Sequence, residues 1–269
     1  MKSTTNCPLC KSPRTNLFVE HEKEKHRYKS CSKCGLIYVQ TKSSANELYK
    51  SYNGGWLKSL RRNLFSRFRK FDSFGDFEDF MKKADKITAL IDKHKSKKQS
   101  SHIKILDIGC NKGFLLHSAI NKKWDPFGIE LVPELLIPFK QKHKTITHQL
   151  YTGSFDDIYK NFKKNSFDVI TAIDVLEHFN NPRLSLKRIH QILKPGGMLL
   201  IQTPDSKSKT AKKTSKEWGA LKPLEHLFLF NKQNYQDLVE EIGFSNTRFF
   251  KSFEEADGNF VAISKKTTL

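Results

Sequence analysis

Acidic residues are scarce in this chain: 28 Asp and Glu stand against 48 Lys and Arg, a formal net charge of +20. Charge alone therefore admits nucleic acid, anionic lipid or a phosphorylated compound as a partner. A solvated Lys-rich surface accounts for the same excess, because its blocks at Lys58 to Lys70, Lys93 to Lys104 and Lys207 to Lys216 fall in several separate stretches. Apolar residues make up 37% and no run approaches the roughly eighteen that a membrane span needs, which excludes a transmembrane segment. The start, Met-Lys-Ser-Thr-Thr-Asn, has no secretory apolar region, so a cytoplasmic protein is expected. There are five cysteines, and a cytosolic chain seldom keeps disulfides, which sets two disulfides or free thiols behind a metal site as the reading of the four paired ones.

The apolar residues are grouped. Ile103, Ile105, Leu106 and Ile108 form a short aliphatic run that breaks at Gly109 and Gly113 and resumes as an apolar helix start at Phe114, which reads as strand, tight loop, helix. Glycine belongs where the backbone needs positive φ or close approach, and Asn111 is among the few other residues that tolerate left-handed geometry. Asp107 at the strand end argues against a dinucleotide: a carboxylate about 4 Å from a phosphate costs on the order of 4 kcal/mol at an effective dielectric near 20. An acidic loop suits a cationic cofactor, and S-adenosylmethionine (SAM) carries an ammonium and a sulfonium.

The stretch Leu106-Asp107-Ile108-Gly109-Cys110-Asn111-Lys112-Gly113 resembles the first motif of the class I SAM-dependent methyltransferases, with Asn111 where that family usually has glycine. Phe167 to Phe179, which runs into Val175-Leu176-Glu177-His178, resembles the fourth-strand motif of its small-molecule members. Leu193-Lys194-Pro195-Gly196-Gly197 supplies the turn typical before their fifth strand, and Glu225-His226-Leu227 recurs in related enzymes. The resemblance implies a cofactor site of Asp107, Gly109, Cys110, Asn111, Gly113, Phe114, Glu130, Leu131, Ser154, Phe155 and Asp174. Glu130, at the end of the second strand, would bind the ribose. Ser154 and Phe155 would flank the adenine, although a turn before a helix N-cap explains them equally. On the acceptor side His226 is the candidate base or orienter, with Asp174 and His178 as alternatives. His226 is also explained as a buried structural histidine, and Glu177 and His178, placed where they could support the acceptor side, are equally explained by a helix-capping or inter-loop role.

From Ile103 onward strands and helices alternate, which predicts an α/β, doubly wound, mostly parallel Rossmann-like sheet. Strands are expected at 103–108, 126–131, 146–150, 167–173 and 197–203. Helices are expected near 113–122, 133–143, 155–162, 183–193 and 231–243, and a closing hairpin from Thr247–Phe253 and Phe260–Ser264 completes the seven strands that the resemblance implies. Before this domain (101–269) lie a zinc ribbon (1–42) and a helical connector (43–100). Cys7-Pro-Leu-Cys10 and Cys31-Ser-Lys-Cys34 form two paired ligand sets, with Leu17–Val19 and Tyr28 as strands between them. Four thiolates complete a tetrahedral zinc site with no open position, so the metal is expected to be structural. In the connector, Leu57, Leu60, Leu64, Phe65, Phe68 and Phe71 make an apolar stripe flanked by Lys and Arg, suited to packing on the neighbouring domain or to an anionic membrane or RNA surface. Lys93 to Ser101 reads as a linker.

The function expected is methyl transfer from SAM to a small-molecule acceptor such as a sugar or a quinone. An RNA methyltransferase that grips its substrate with the ribbon and basic helix, and a non-catalytic SAM-binding interaction protein, are the alternatives. Oligomeric state is left open.

Overall fold

The computed structural model describes residues 6–21, 26–40, 74–95, 102–223, 225–253 and 258–268. The connector stripe at 57–71 lies outside them. Near the N-terminus β1 (Thr15–His21), β2 (His26–Cys31) and β3 (Ile37–Gln40) form an antiparallel meander. Its fourth strand, β9 (Phe228–Leu229), arrives from far along the chain.

Helix α1 (Phe74–His94) then leads into the large sheet. The expected linker at 93–101 is thus helical through His94. Ala84, Ile87 and Ile91, on one face of α1, pack with Ile103, Ile105, Leu115 and Ala119, so this helix belongs to the core of the α/β unit. The large sheet comprises β4 (Lys104–Ile108), β5 (Asp125–Glu130), β6 (Leu150–Thr152), β7 (Phe167–Ile173), β8 (Leu193–Pro204), β10 (Phe244–Lys251) and β11 (Asn259–Lys266). Its order is β10-β11-β8-β7-β4-β5-β6, with β4 to β8 parallel and β11 antiparallel to both its neighbours. Strand β4 shows why both faces are covered: Ile103 and Ile105 join one apolar cluster and Leu106 and Ile108 another, the alternation of a pleated strand buried on both sides.

Helices α2 (Phe114–Asn121), α3 (Ile137–Lys142), α4 (Phe155–Ile158), α5 (Pro182–Ile192), α6 (Lys209–Thr214) and α7 (Lys232–Ile242) follow or separate these strands. Asn181 caps α5 by accepting the Leu184 N–H, with Pro182 preset at its first turn. Asn231 and Asn234 close a reciprocal capping box on α7, and Gly243 ends it at φ 109°.

Three expected elements change form. The helix at 133–143 starts as a 3-10 turn over Pro133–Leu136, where Pro138 would remove an amide from a continuous helix. The strand at 146–150 is a 3-10 turn over Lys144–Gln149, and pairing is confined to β6. The helix at 155–162 is cut at Ile158 and continues as the 3-10 turn Tyr159–Asn161. Pairing in β8 also begins earlier than 197, because Leu193 already lies opposite Phe167.

Candidate functional site

The loop between β4 and α2 alternates hand. Gly109, Asn111 and Gly113 take φ of 74°, 50° and 78°. A Cβ at Gly109 would lie 2.6 Å from Val175 Cγ2, and one at Gly113 would lie 2.5 Å from the Phe139 ring, so protein packing as well as φ demands glycine there. Asn111 adopts the left-handed shape and its side-chain oxygen accepts the Lys112 N–H at 2.8 Å.

Two carboxylates flank this loop, each 5% exposed. Asp107 accepts the Thr171 hydroxyl at 2.7 Å. Glu130 accepts the N–H of Asn111 at 2.8 Å and of Val132 at 2.9 Å, which ties the second strand end to the loop. Each carboxylate oxygen of Glu130 retains a lone pair for a further donor. Burial pushes Asp107 up to about 7, with the neighbouring charge of Glu130 adding to it. Burial also raises Glu130 against the backbone donors that lower it. Two buried carboxyls whose ionised forms are penalised by desolvation are stabilised as carboxylates by a nearby cation.

Other loop candidates have structural duties. Cys110 is buried with its sulfur against Gly128, and burial raises its thiol, so it packs. Phe114 stacks on Phe80 of α1 at 5.0 Å and meets Phe77 edge-on at 5.5 Å. Leu131 is half-buried beside Glu130. The Ser154 hydroxyl caps α4, accepting the Asp157 N–H at 3.3 Å and donating to its carboxylate at 2.6 Å. Phe155, expected beside an adenine, is 3% exposed and packs beside Tyr159 and Phe179.

At the tip of β7 a cleft of about 330 Å³ is bordered by Asp174, Glu177, Thr210, Trp218, His226 and Asn259. Asp174 sits at φ 55°, a conformation costly for most L residues. Its carboxylate is fixed from three elements: by Gln202 Nε2 (3.1 and 3.0 Å), Asn259 Nδ2 (3.0 Å) and Lys83 Nζ of α1 (3.5 Å). Glu177, 1% exposed, accepts the Thr203 hydroxyl at 2.9 Å, and burial with the nearby Asp174 charge pushes it up to about 8.

The two histidines meet edge-on with ring centroids 5.0 Å apart. Nδ1 of His226 donates to the Ala220 carbonyl at 2.8 Å, which sets its tautomer because a carbonyl only accepts, and Nδ1 of His178 lies 2.7 Å from the Glu225 carbonyl. Burial lowers His178 to about 4 and His226 to about 3. Of the two roles expected for His226, base or orienter, its lowered basicity favours the orienter, since a less basic nitrogen abstracts protons less readily. His178 packs behind His226, and with Glu177 the three side chains bring donor atoms within 4.8 Å of one another. Lys83, Gln202 and Asn259 have no local sequence signal, and neither does the burial of Glu177. Folding alone brings them to Asp174.

Cys7, Cys10, Cys31 and Cys34 come together with all four sulfurs within 4.8 Å, Cys7 to Cys34 at 3.7 Å and Cys10 to Cys31 at 3.6 Å. A tetrahedral ion with Zn–S near 2.3 Å separates its sulfurs by about 3.8 Å, so the donor set and its spacing fit zinc. All four are free thiols.

A seven-stranded α/β sheet with an acidic left-handed loop at its carboxyl edge defines a class I methyltransferase fold. Residues 77–248 match the family model of a methyltransferase domain, which covers more than half of the chain, and the chain belongs to that family. A rat (Rattus norvegicus) mitochondrial ubiquinone biosynthesis O-methyltransferase is 34% identical over 41% of this chain and 33% of its own length. A Helicobacter pylori tRNA U34 carboxymethyltransferase is 29% identical over 53% of this chain and 56% of its own. The chain spans less than half the length of the ubiquinone relatives it matches. Among solved structures, a Thermotoga maritima SAM-dependent methyltransferase, described as a possible histamine N-methyltransferase, superposes with a TM-score of 0.54 at 18% identity, over 77% of this chain and 98% of that one.

Proposed function

We propose that this chain is a SAM-dependent methyltransferase acting on a small-molecule acceptor held in the cleft at the tip of β7. The observation that carries the reading is the buried carboxylate pair, Asp107 and Glu130, on either side of a left-handed glycine loop. Such a pocket stabilises a bound cation and leaves ribose hydroxyls an acceptor in Glu130. SAM, when bound, supplies an electrophilic methyl group on a sulfonium. The residues around it bind and orient. Asp107 offsets the positive charge, Glu130 receives the ribose, and Asp174, held by Lys83, Gln202 and Asn259, borders the passage toward the cleft. His226 presents its Nε2 acceptor to an incoming hydroxyl or amine and fixes its direction, so alignment rather than proton abstraction is the contribution of this side. The four cysteines hold one structural zinc. The ubiquinone O-methyltransferase relatives support the small-molecule reading.

Titration calorimetry with SAM tests this. Micromolar-range binding is expected in the full chain, with Glu130→Ala losing roughly tenfold to a hundredfold, the equivalent of about 1.5–3 kcal/mol for a charge-assisted hydrogen bond. No measurable binding, or a Glu130→Ala variant with unchanged affinity, would overturn it. A second reading, an RNA acceptor, is favoured by the tRNA-modifying relative and by Lys209, Lys212 and Lys213 on α6, whose Thr210 lines the cleft.

A further inference from the structure

The segment that carries His226 is held between two partners. On the side of the large sheet, the Leu227 N–H donates to the Glu177 carbonyl at 2.8 Å and the Ser206 N–H to the Phe230 carbonyl at 2.7 Å. On the other side stands the cysteine-bearing meander. Val39 donates its N–H to the Leu227 carbonyl at 3.0 Å, and β3 pairs Ile37 with Leu229 and Tyr38 with Phe228. The Tyr28 hydroxyl, on a fully buried side chain of β2, donates to the His226 carbonyl at 2.8 Å. The Cys34 carbonyl, in the turn that carries two of the four sulfurs, accepts the side-chain amides of Asn231 and Asn234 at 3.1 Å each. A Cβ on the next residue, Gly35, would lie 2.9 Å from the Asn231 amide, so the turn and the α7 cap fit closely. Trp218, Leu221 and Ala211, from the loop that borders the cleft, pack in one apolar cluster with Tyr28, Ile37 and Leu229.

A pairing as short as β3 with β9 does not hold itself. Nor does a meander of this size fold readily without a staple, and metal binding supplies folding free energy directly to such modules. The position of His226 and Trp218 therefore depends on a sheet whose own order depends on the cysteine site.

We propose that the cysteine meander buttresses one wall of the acceptor cleft rather than being an appended module, with Tyr28 as the positioning residue that sets the backbone of His226. Metal at the four sulfurs then governs the order of the cleft wall, while the Asp107 and Glu130 pocket, built on β4 and β5, stays formed without it. The inference rests on the reading of this cleft as the acceptor side, but its test uses no acceptor.

The full chain is compared in three states: zinc-loaded, stripped of zinc by a chelator, and as Tyr28→Phe with zinc. Amide exchange of Leu227, Phe228 and Leu229, ring ¹⁵N shifts of His226 and SAM calorimetry are read in each. Zinc removal is expected to speed exchange at 227–229 by a hundredfold or more, with Ile105 and Val169 in the large sheet still protected, SAM affinity within about twofold, and full recovery on reloading. Tyr28→Phe is expected to keep its zinc and its melting temperature within a few degrees, to speed exchange at Leu227 about tenfold, the equivalent of one net hydrogen bond, and to shift the His226 ring signals as its Nδ1 tie to Ala220 loosens. Unchanged exchange at 227–229 on zinc removal would overturn the inference. So would loss of protection at Ile105 and Val169 in step with 227–229, because the meander would then be one cooperative unit with the core and no separate buttress. Failure of SAM to bind the loaded protein would instead sink the methyltransferase reading and leave the coupling standing.

Discussion

Glu177 and His226 border the same cleft with opposite perturbations. Burial raises the acid to about 8 and lowers the base to about 3. Their contributions to stability therefore run in opposite directions with pH. His226, lowered in the fold, contributes stability that is complete above the unfolded value near 6.5 and is lost as the pH falls from there toward 3. Glu177, raised in the fold, costs nothing below the unfolded value near 4.5; as pH rises toward 8 the unfolded chain gains an ionised carboxylate that the folded chain withholds, and stability falls. Glu177→Gln keeps an oxygen for Thr203 and removes that penalty. The variant should melt higher than the parent at pH 8, by the equivalent of about 1.4 kcal/mol for each unit of upward shift at most, and the advantage should fade by pH 5. Melting curves across that range check it. A difference independent of pH would show that Glu177 is not neutral in the fold. Sequence pattern put Glu177 and His226 near the acceptor side, but the sign of neither perturbation was legible, because burial is set by the fold; the partner of Glu177, Thr203, lies 26 residues on.

At the scale of elements, the β4 loop is where local rules and global packing agree. Its strand is aliphatic, its glycines stand at left-handed positions and the helix follows at once, so the unit was legible from residues 103–116 alone. The partner that makes Gly113 obligatory was not: Phe139 comes from α3, over twenty residues later, and crosses directly above it. Gly113→Ala should therefore destabilise the chain by about 2–4 kcal/mol, combining left-handed strain with displacement of a buried ring. Denaturant unfolding would measure it; a loss under about 1 kcal/mol would mean that Phe139 can swing aside. The short helices were the weak point of the sequence reading. Residues 133–136, 144–149 and 159–161 are 3-10 turns, and after the first of them Pro138 removes an amide that a continuous helix would use.

For the molecule as a whole, charge is the quantity that separates the two acceptor classes. A formal charge of +20 guarantees some attraction to polyanions, so retention of RNA at low salt decides nothing. The slope decides. With a small-molecule acceptor, RNA affinity should be weak at 150 mM salt and indifferent to Lys209, Lys212 and Lys213. Micromolar or tighter tRNA binding at that salt, with a slope that decreases by roughly one unit per lysine removed from α6, would favour the RNA reading instead. Among the described residues no helix is long and apolar enough to cross a membrane.

Much of this protein is determined locally. Strand type, the acidic glycine loop, the caps of α5 and α7 and the two C-x-x-C pairs depend on residues within one or two turns of each other, so the chain states them outright. The tertiary structure alone decided what long-range packing sets. It threads β9 into the cysteine meander, brings Lys83 of α1 and Asn259 of β11 onto Asp174, and buries Glu177 beside the half-buried His226. Burial and cross-sheet hydrogen bonds join residues up to 200 positions apart, and no periodicity within a strand or helix encodes such a meeting.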